Sequence, residues 1–437
     1  MKLWQKDHTG TDKLVEQFTV GSDRDFDLLL AKYDVQGSLA HTQMLCEAGL
    51  LTAEEKEHIH TALHEIQAEI TSGTFIIAPD VEDVHSQIEL LLTQRIGENG
   101  KKIHSGRSRN DQVATDIKLY LRDQIYTVRD KAVMLFDTLM RLGEQYKNVL
   151  LPGYTHLQVA MPSSFGLWLG AYAESLSDDL EILAAAHAVV NKNPLGSGAG
   201  YGSSFPLNRN RTTELMGFCS MHYNVVYAQM SRGKTEKFVA MALAAIAATI
   251  GKLSMDICLY LSPNFAFISF PESLTTGSSI MPHKKNPDIF ELVRARCNRI
   301  QALPNELTLL INNLPSGYHR DMQLTKEIIF PGIENLLACL DMLQFALPQL
   351  SVNTGTMDDE KYGYIYTVEA VNELVNNGMP FREAYKQVGN DVAAGNFSYD
   401  SFSMSSHTHE GSMGNLCSGE IKAALHHVLK KFECGAL

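Results

Sequence analysis

The feature that constrains the fold most is a long segment, residues 112–142, that contains no glycine or proline. Its apolar side chains recur at spacings of three and four, which places them on one face of a helix. At about 1.5 Å per residue, this helix is expected to be about 45 Å long. Helices of this length are typical of bundles and of oligomer cores. The segment therefore predicts a helical bundle at the centre of the fold.

Helical periodicity covers most of the remaining chain, and the alternating runs typical of strands are nearly absent. Further helices are predicted over residues 25–50, 52–70, 80–96, 164–191, 234–261, 288–303, 326–347, 361–377, 380–394 and 418–432. Thr52 and Glu55 predict a capping box, and residues 152–162 are predicted to form a loop. We therefore predict an all-α chain of three domains: an N-terminal helical domain, a central long-helix bundle and a small C-terminal helical domain, at residues 1–106, 107–350 and 351–437.

Composition excludes several classes of partner. A formal net charge of -13 argues against nucleic-acid binding. The most apolar run, residues 238–250, is shorter than the roughly 20 residues that cross a membrane, so no membrane partner is expected. Seven cysteines, an odd number without a CxxC pair, argue against a disulfide framework. The first residues carry no apolar signal core, and we expect a cytoplasmic protein.

No motif for a metal or a nucleotide is recognisable. The chain has no HExxH, no cysteine and histidine set with metal-ligand spacing and no calcium loop, so neither a metal nor a cofactor is predicted. A glycine-rich connection at residues 195–202 is superficially similar to a phosphate loop. It follows no predicted strand and lacks the lysine that phosphate loops carry, so a nucleotide site is not expected there.

Polar clusters lie at the joints between the predicted helices, where rigid scaffolds usually carry function. They span residues 82–89, 106–111, 153–158, 275–288 and 318–326. Taken singly, each cluster is more often structural than catalytic, since histidines frequently serve only as hydrogen-bond partners and arginines tie loops together. Together the clusters suggest a small-molecule substrate rich in carboxylates. The cations that would bind it are Arg107, Arg109, Lys284, Arg320 and Lys326.

Residues 275–288 combine glycine, serine, lysine, asparagine and proline, which fits neither helix nor strand. Gly277 would let backbone amides and the Ser278 hydroxyl approach an anion, beside the charge of Lys284. Asn286 is predicted to cap the following helix, with Pro287 at its first position. Residues 277–287 resemble the signature of the fumarase/aspartase superfamily, whose members eliminate fumarate from succinyl-substituted substrates.

Within that superfamily the chain is similar to the argininosuccinate lyases over nearly its whole length. The matching segments are residues 34–38, 82–85, 106–112, 153–158, 194–199, 318–327 and 380–384. The resemblance implies reversible cleavage of argininosuccinate into arginine and fumarate, a reaction of arginine biosynthesis. It also implies a homotetramer around a central helical bundle, with each active site built by segments of three subunits.

The resemblance also implies roles for individual residues. Ser278 would be the base that removes a carbon-bound proton, its hydroxyl pKa lowered by loop amides and Lys284. Lys284 and Asn286 would hold the carboxylate that takes up negative charge. His156, polarised by Glu291, would give a proton to the leaving nitrogen. The positions that match substrate-binding residues are Asn110, Thr155, Tyr318, Gln323 and Lys326, with Ser22 matching only across a gap, and with Arg107 and Arg109 as carboxylate clamps.

Two alternatives stay open at this level. His283 stands where argininosuccinate lyases often carry glutamine and adenylosuccinate lyases often carry histidine, so another fumarate-releasing lyase is the second hypothesis. A catalytically silent structural homologue is the third, although retention of the loop residues and of His156 argues against it. Residues 230–237 replace an Asp-Arg-Asp type of segment, and this departure concerns fine substrate contacts rather than the elimination chemistry.

Overall fold

The computed structural model describes residues 13–434, and helices dominate this part of the chain. Its first helices are α1 Lys13–Val20, α2 Asp23–Glu47, α3 Ala53–Ser72, α4 Val84–Ile96 and α5 Glu98–Lys101. Helices α2, α3 and α4 pack against one another around buried side chains such as Leu45, Ile59 and Leu92. The predicted capping box is confirmed, because Glu55 N donates to Thr52 Oγ1 at 3.2 Å and Thr52 N donates to Glu55 Oε2 at 2.9 Å.

The middle of the chain forms the predicted long-helix bundle. Its helices are α6 Arg109–Gln145, α7 Phe165–Val190, α8 Arg209–Leu215, α9 Val225–Met230, α10 Lys234–Leu261, α11 Asp288–Ile300, α12 Leu303–Leu310 and α13 Thr325–Ala346. Helix α6 has 37 residues and is therefore about 55 Å long. It packs against α7 and α13, and α10 packs against α7 and α11, so that these helices enclose the largest hydrophobic core.

The last helices are α14 Thr367–Asn376, α15 Phe381–Ala393 and α16 Ser418–Lys430. Helix α16 packs on α7 and adds Ile421 and Leu425 to the central core, whereas α14 and α15 enclose a small cluster of their own. A disulfide joins Cys219 to Cys434, across 215 residues of sequence. The sequence argued against a framework of disulfides, and the structure has this single disulfide beside five free cysteines. The division into three domains stays a prediction.

Apart from two isolated β-bridges, the described residues form β-structure as three two-stranded sheets. The strands are β1 Leu150–Thr155, β2 Gln158–Ser164, β3 Lys192–Asn193, β4 Ser220–Met221, β5 Ile268–Ser269 and β6 Ser351–Val352. The predicted loop at residues 152–162 is wrong, because β1 and β2 form an antiparallel hairpin. Prolines 152 and 162 suggested a loop, yet they lie opposite each other in a two-stranded ribbon, where every strand is an edge and proline is tolerated.

Two helical stretches are long and apolar enough to cross a membrane, Lys234–Leu261 and Arg320–Gln349. The length argument made from residues 238–250 is therefore wrong, since the helix continues to both sides of that run. In these stretches 56% and 50% of the most apolar window is buried inside the fold. Core helices of a large bundle have this character as well.

Three predicted helix starts shift by several residues or by their cap. The helix expected at residue 361 begins at Thr367, because residues Glu360–Tyr366 form a 3-10 helix. The helix expected at residue 80 begins at Val84, and the Asp83 side chain caps it by accepting a hydrogen bond from Ser86 N at 2.8 Å. Helix α11 begins at Asp288, with Pro287 outside it and without a side-chain cap. The predicted cap, Asn286, instead donates from Nδ2 to Gly277 O at 3.3 Å, within its own loop.

Candidate active site

A cavity of about 230 Å³ opens where three of the polar clusters meet. The first turn of α2, the start of α4, the start of α6 and the segment that leads into α13 each contribute to its wall. Its described lining residues include four carboxylates, four arginine or lysine cations and His85. The carboxylates are Asp23, Asp27, Glu82 and Asp83, and the cations are Arg109, Arg232, Arg320 and Lys326. A charged ligand that enters the cavity must therefore compete with ion pairs that the wall residues make with one another.

The start of α6 is held by a carboxylate that also fixes the glycine-rich loop. Ser108 N donates to Asp111 Oδ1 at 2.7 Å, which completes a capping box. The second oxygen, Oδ2, accepts from Gly196 N at 3.0 Å and from Gly198 N at 2.8 Å. Burial raises the pKa of Asp111 to about 6. The anion-binding amides of this loop are thus occupied by a side chain of the protein, in line with the absence of a predicted nucleotide site.

The predicted carboxylate clamps bind carboxylates and hydroxyls of the protein. Arg109 Nη1 lies 3.2 Å from Glu82 Oε2 and 3.1 Å from Asp83 Oδ2, and its Nη2 donates to Ser86 Oγ at 2.8 Å. Arg107 is not among the residues that line the cavity, and it donates to Ser38 Oγ at 3.0 Å. Burial lowers the pKa of Arg107 from its usual value.

Lys326 is a buried cation held by two carboxylates. Its Nζ lies 2.6 Å from Asp27 Oδ1 and 2.5 Å from Asp23 Oδ1. Burial alone would lower the pKa of Lys326, but Asp27 and Asp23 outweigh it and raise this pKa. Burial and the neighbouring Asp27 raise the pKa of Asp23 to about 6. Gln323 is fixed beside this group, because its Nε2 donates to Thr19 O at 3.0 Å.

A second charged group includes the cavity-lining residue His85, which contacts two buried carboxylates. His85 Nδ1 lies 2.8 Å from Asp34 Oδ1 and 3.6 Å from Asp116 Oδ2. Among the described residues, these three side chains have the spacing of a metal site. Burial would lower the pKa of His85, but Asp34 and Asp116 outweigh it and raise this pKa to about 10. A protonated imidazole is a poor metal ligand, so the group is better described as a buried ion pair.

The loop at residues 275–288 is closed by a β-bridge between Thr276 and Asn286. Inside it, Ser278 Oγ accepts hydrogen bonds from Met281 N at 3.2 Å and from Ile280 N at 3.4 Å. Two amides thus point at the hydroxyl oxygen, where they would stabilise negative charge. Lys284 lies exposed on the same loop.

The tip of the β1–β2 hairpin carries Thr155 and His156 into solvent. His156 and Leu157 both adopt left-handed backbone conformations, with φ of 55° and 56°. Such angles match the tight turn of a hairpin but are unfavourable for a residue with a branched apolar side chain. Leu157 is also 73% exposed. Glu291, the predicted partner of His156, is exposed on α11 with Arg294 Nη2 4.0 Å from its carboxylate.

The predicted site residues therefore fall into separate groups within the described chain. The cavity brings together Arg109, Asn110, Tyr318, Gln323 and Lys326. Ser22 is exposed at the start of α2, beside the cavity residue Asp23. The remaining predicted residues, on the loop at 275–288, on α11 and at the hairpin tip, do not line this cavity.

Sequence reasoning missed two cavity carboxylates and one cation: Asp23, Asp27 and Arg232. Asp23 and Asp27 are four residues apart in the first turns of α2, so they face the same side of the helix. That spacing was a usable signal. Arg232 lies in the segment 230–237, which was noted only as a departure.

Comparisons with known proteins all show similarity to lyases. The model of a lyase family matches residues 6–302. An argininosuccinate lyase from Bacteroides fragilis is 57% identical over 431 residues, which cover 99% of this chain and 96% of that protein. One from Thermotoga neapolitana is 38% identical over 387 residues, which cover 89% of this chain and 97% of that protein.

Solved structures share the fold at lower identity. An EDDS lyase in complex with formate superposes over 97% of this chain and 91% of its own, with a TM-score of 0.78 and 22% identity. A class II fumarase from Schistosoma mansoni covers 87% of this chain and 88% of its own, with a TM-score of 0.72 and 17% identity. At these identities the two structures establish a common fold.

Proposed function

This chain belongs to the argininosuccinate lyases of the fumarase/aspartase superfamily, and from that premise we infer how its side chains divide the reaction. The enzyme is a carbon–nitrogen lyase that cleaves argininosuccinate reversibly into arginine and fumarate. A base removes a proton from the carbon beside a carboxylate, and the electron pair of that C–H bond becomes the double bond of fumarate. The C–N bond breaks with its electron pair on the nitrogen, which takes up a proton. The reaction balances without a redox co-reactant.

Ser278 acts as the base, and the pair of amides that point at its hydroxyl oxygen carries this assignment. A serine hydroxyl is a poor base in water, because its alkoxide is unstable there. Amides aimed at the oxygen stabilise the alkoxide, and Lys284 adds positive charge from the same loop. Lys284 and Asn286 then hold the carboxylate that takes up charge as the proton leaves. Asn286 must first release its present bond to Gly277 O.

His156 supplies the proton to the leaving guanidinium nitrogen, with Glu291 as the carboxylate that raises its basicity. The exposed position of His156 at a tight hairpin tip supports this role, because such a tip can enter the site of a neighbouring subunit. Thr155, next to it, adds a hydroxyl for the substrate. Glu291 is exposed on α11 and is equally accessible to another subunit.

The cavity binds the arginine half of the substrate through Asn110, Tyr318, Gln323 and Lys326. Lys326 is held by Asp23 and Asp27, so it acts as part of a charged group and not as an isolated cation. Five further carboxylate, arginine or lysine side chains line the same wall, and they suit a substrate that carries charges of both signs. Ser22, Arg107 and Arg109 complete the proposed substrate-binding set.

The enzyme is a homotetramer of the cytoplasm in which each active site is built by three subunits. The separate positions of the cavity, the loop at 275–288 and the hairpin tip within one chain support this arrangement. Exposed apolar side chains on the long helices do so as well, since a bundle face of this kind is normally covered by another subunit. Examples are Met241 at 45%, Leu292 at 59% and Phe345 at 60% exposure. No nucleic acid or membrane takes part.

The substrate is tested by mixing purified enzyme with argininosuccinate and following the absorbance of fumarate. Absorbance should rise with argininosuccinate and stay flat with adenylosuccinate. The opposite result would favour the second hypothesis, based on His283, that the protein is an adenylosuccinate lyase. A silent homologue would release fumarate from neither compound, while still giving the molar mass of a folded tetramer by light scattering.

A further inference from the structure

Arg232 is a buried cavity residue with a donor that the protein leaves unused. It lies between α9 and α10 and is only 4% exposed. Its Nε donates to Glu236 Oε1 at 3.2 Å, and its Nη2 donates to Met322 O at 3.1 Å. The third nitrogen, Nη1, is buried and has no hydrogen-bond partner among the described residues. A buried guanidinium donor without a partner is unfavourable, so this nitrogen is suited to receive a ligand oxygen.

The remaining cavity cations are already paired with carboxylates of the protein. Lys326 is held by two aspartates, and Arg109 contacts Glu82 and Asp83. Arg320 also contacts Glu82, at 3.2 Å. Arg232 is paired with Glu236 too, but Glu236 Oε1 also accepts a hydrogen bond from Thr325 Oγ1 at 3.4 Å. Arg232, which lines the cavity, thus combines a shared counter-ion with a buried donor that has no partner among the described residues.

The backbone next to Arg232 is tightly constrained at Gly233. Gly233 has a left-handed φ of 72°, and a Cβ built on it would lie 2.4 Å from Ile311 Cγ2. A larger residue would therefore both strain the backbone and collide with Ile311, which follows α12. With Nε and Nη2 bonded to α10 and to the segment before α13, Nη1 is held in place before any ligand arrives.

We propose that Arg232 Nη1 binds the α-carboxylate of the arginine half of the substrate, an inference that rests on the proposed function. The residues proposed to hold the succinate carboxylates lie on the loop at 275–288, outside this cavity. The α-amino-acid head of argininosuccinate is at the end of the molecule remote from the C–N bond that breaks. Asp23 lies within electrostatic range of Arg232. If Arg232 binds the α-carboxylate of the substrate, the α-ammonium group beside that carboxylate therefore lies near the carboxylate of Asp23.

The test compares two ligands that differ in this carboxylate, arginine and agmatine, by calorimetry on the intact enzyme. Wild type should bind arginine more tightly than agmatine. Arg232→Met should lower the affinity for arginine roughly 10- to 100-fold, as expected for loss of a charge-assisted hydrogen bond. The affinity for agmatine should stay within about threefold of wild type. Arg232→Lys should recover part of the arginine affinity, because it restores a cation without the guanidinium geometry.

The control is Arg122→Met, which removes an arginine bound to Met216 O and Gly217 O outside the cavity. It should leave the affinities of both ligands unchanged. If Arg232→Met lowered the affinities for arginine and agmatine equally, Arg232 would have only a structural role, and the proposal would be overturned. Weaker inhibition by fumarate with arginine binding intact would do the same, because it would assign Arg232 to the succinate half. These binding measurements need no turnover, so they are separate from the fumarate assay that tests the proposed function.

Discussion

At the scale of single residues, Lys118 is a charge placed on the buried face of α6. The side chain is 2% exposed, and its Nζ has only long hydrogen bonds, to Val189 O at 3.3 Å and to Thr235 Oγ1 at 3.4 Å. Burial lowers the pKa of Lys118 to about 7, although Glu236 partly opposes this. The unfolded chain keeps a lysine pKa of about 10.4. The folded state therefore binds the proton less tightly than the unfolded state does.

Replacement of this lysine should stabilise the fold in a pH-dependent way. Below pH 7 the lysine is protonated in both states and its full electrostatic cost acts on the folded state, and above about pH 10.4 the cost disappears. Lys118→Met should therefore raise the free energy of unfolding by roughly 1–4 kcal/mol at pH 6, with a gain that shrinks towards pH 10. Urea titrations at several pH values measure this. Lys131→Met, at a half-buried position of α6 where the lysine pairs with the exposed Asp341, should change stability by about 0–1 kcal/mol near neutral pH.

Ser278 allows a sharp test of the proposed base. Ser278→Ala removes the oxygen that two loop amides contact and should lower turnover by roughly a hundredfold or more, as loss of a general base predicts. Fumarate absorbance measures the rate, and circular dichroism should report an unchanged helical content. The neighbouring Ser279→Ala is the matched control and should keep turnover within about threefold. Full activity in Ser278→Ala would remove this serine from the mechanism.

At the scale of elements, the join between α6 and the glycine-rich loop depends on one carboxylate. Asp111 accepts hydrogen bonds from Ser108 N, Gly196 N and Gly198 N, so it connects the start of α6 with a loop more than 80 residues away. The glycines of that loop have positive φ angles, including 84° at Gly196 and 60° at Gly198, which let consecutive amides face the same oxygen. The position of Asn110 in the cavity follows from this arrangement.

Loss of that carboxylate should weaken both elements together. Asp111→Ala leaves three amides without their acceptor, and we expect the free energy of unfolding to fall by roughly 2–4 kcal/mol. Ser108→Ala removes only the cap on Asn110 N and should cost about 1 kcal/mol. Thermal unfolding of the two variants beside wild type measures the difference. Equal losses would mean that the loop contributes little to the stability of the start of α6.

At the scale of the whole molecule, the separation of the proposed catalytic groups can be tested with mixed tetramers. Ser278→Ala and Lys326→Met should each be inactive alone, because one lacks the base and the other a substrate contact. Co-expressed in equal amounts, they should recover up to about a quarter of wild-type turnover if each site draws the two residues from different subunits at random.

The matched pair is Ser278→Ala with Lys284→Met. Both residues lie on the same loop of the same chain, so mixing cannot restore an intact loop and no activity should return. Recovery in this pair, or no recovery with Lys326→Met, would contradict sites shared between subunits. Size-exclusion chromatography with light scattering should confirm that every mixture has the mass of a tetramer.

The disulfide gives a second prediction for the whole molecule. It ties the end of the helical chain at Cys434 to Cys219, which precedes β4, and five other cysteines are free. Protein equilibrated with glutathione disulfide and then unfolded should react with five equivalents of a thiol reagent, and with seven after reduction. Peptide mapping should recover the 219–434 cross-link. Seven reactive thiols before reduction would show that the two cysteines stay reduced.

Several features of this protein follow from the sequence alone, because they depend on residues close together in the chain. The spacing of apolar side chains and the absence of glycine and proline determine the long helices, and the order of residues in 277–287 identifies the superfamily loop. The hairpin at 150–164 was misjudged, since proline is read as a loop signal until the partner strand is known.

Only the tertiary structure decided which charges meet. Lys326 pairs with Asp27 across 299 residues, and Asp111 contacts Gly198 across 87. Periodicity reports the face of a helix but not the helix that covers it, so contacts over such separations cannot be read from local patterns. The same holds for Arg232, which lines the cavity because the segment before α10 packs beside the segment before α13. Local sequence thus determined the elements and the chemistry of the loop, and packing decided the electrostatics of the cavity.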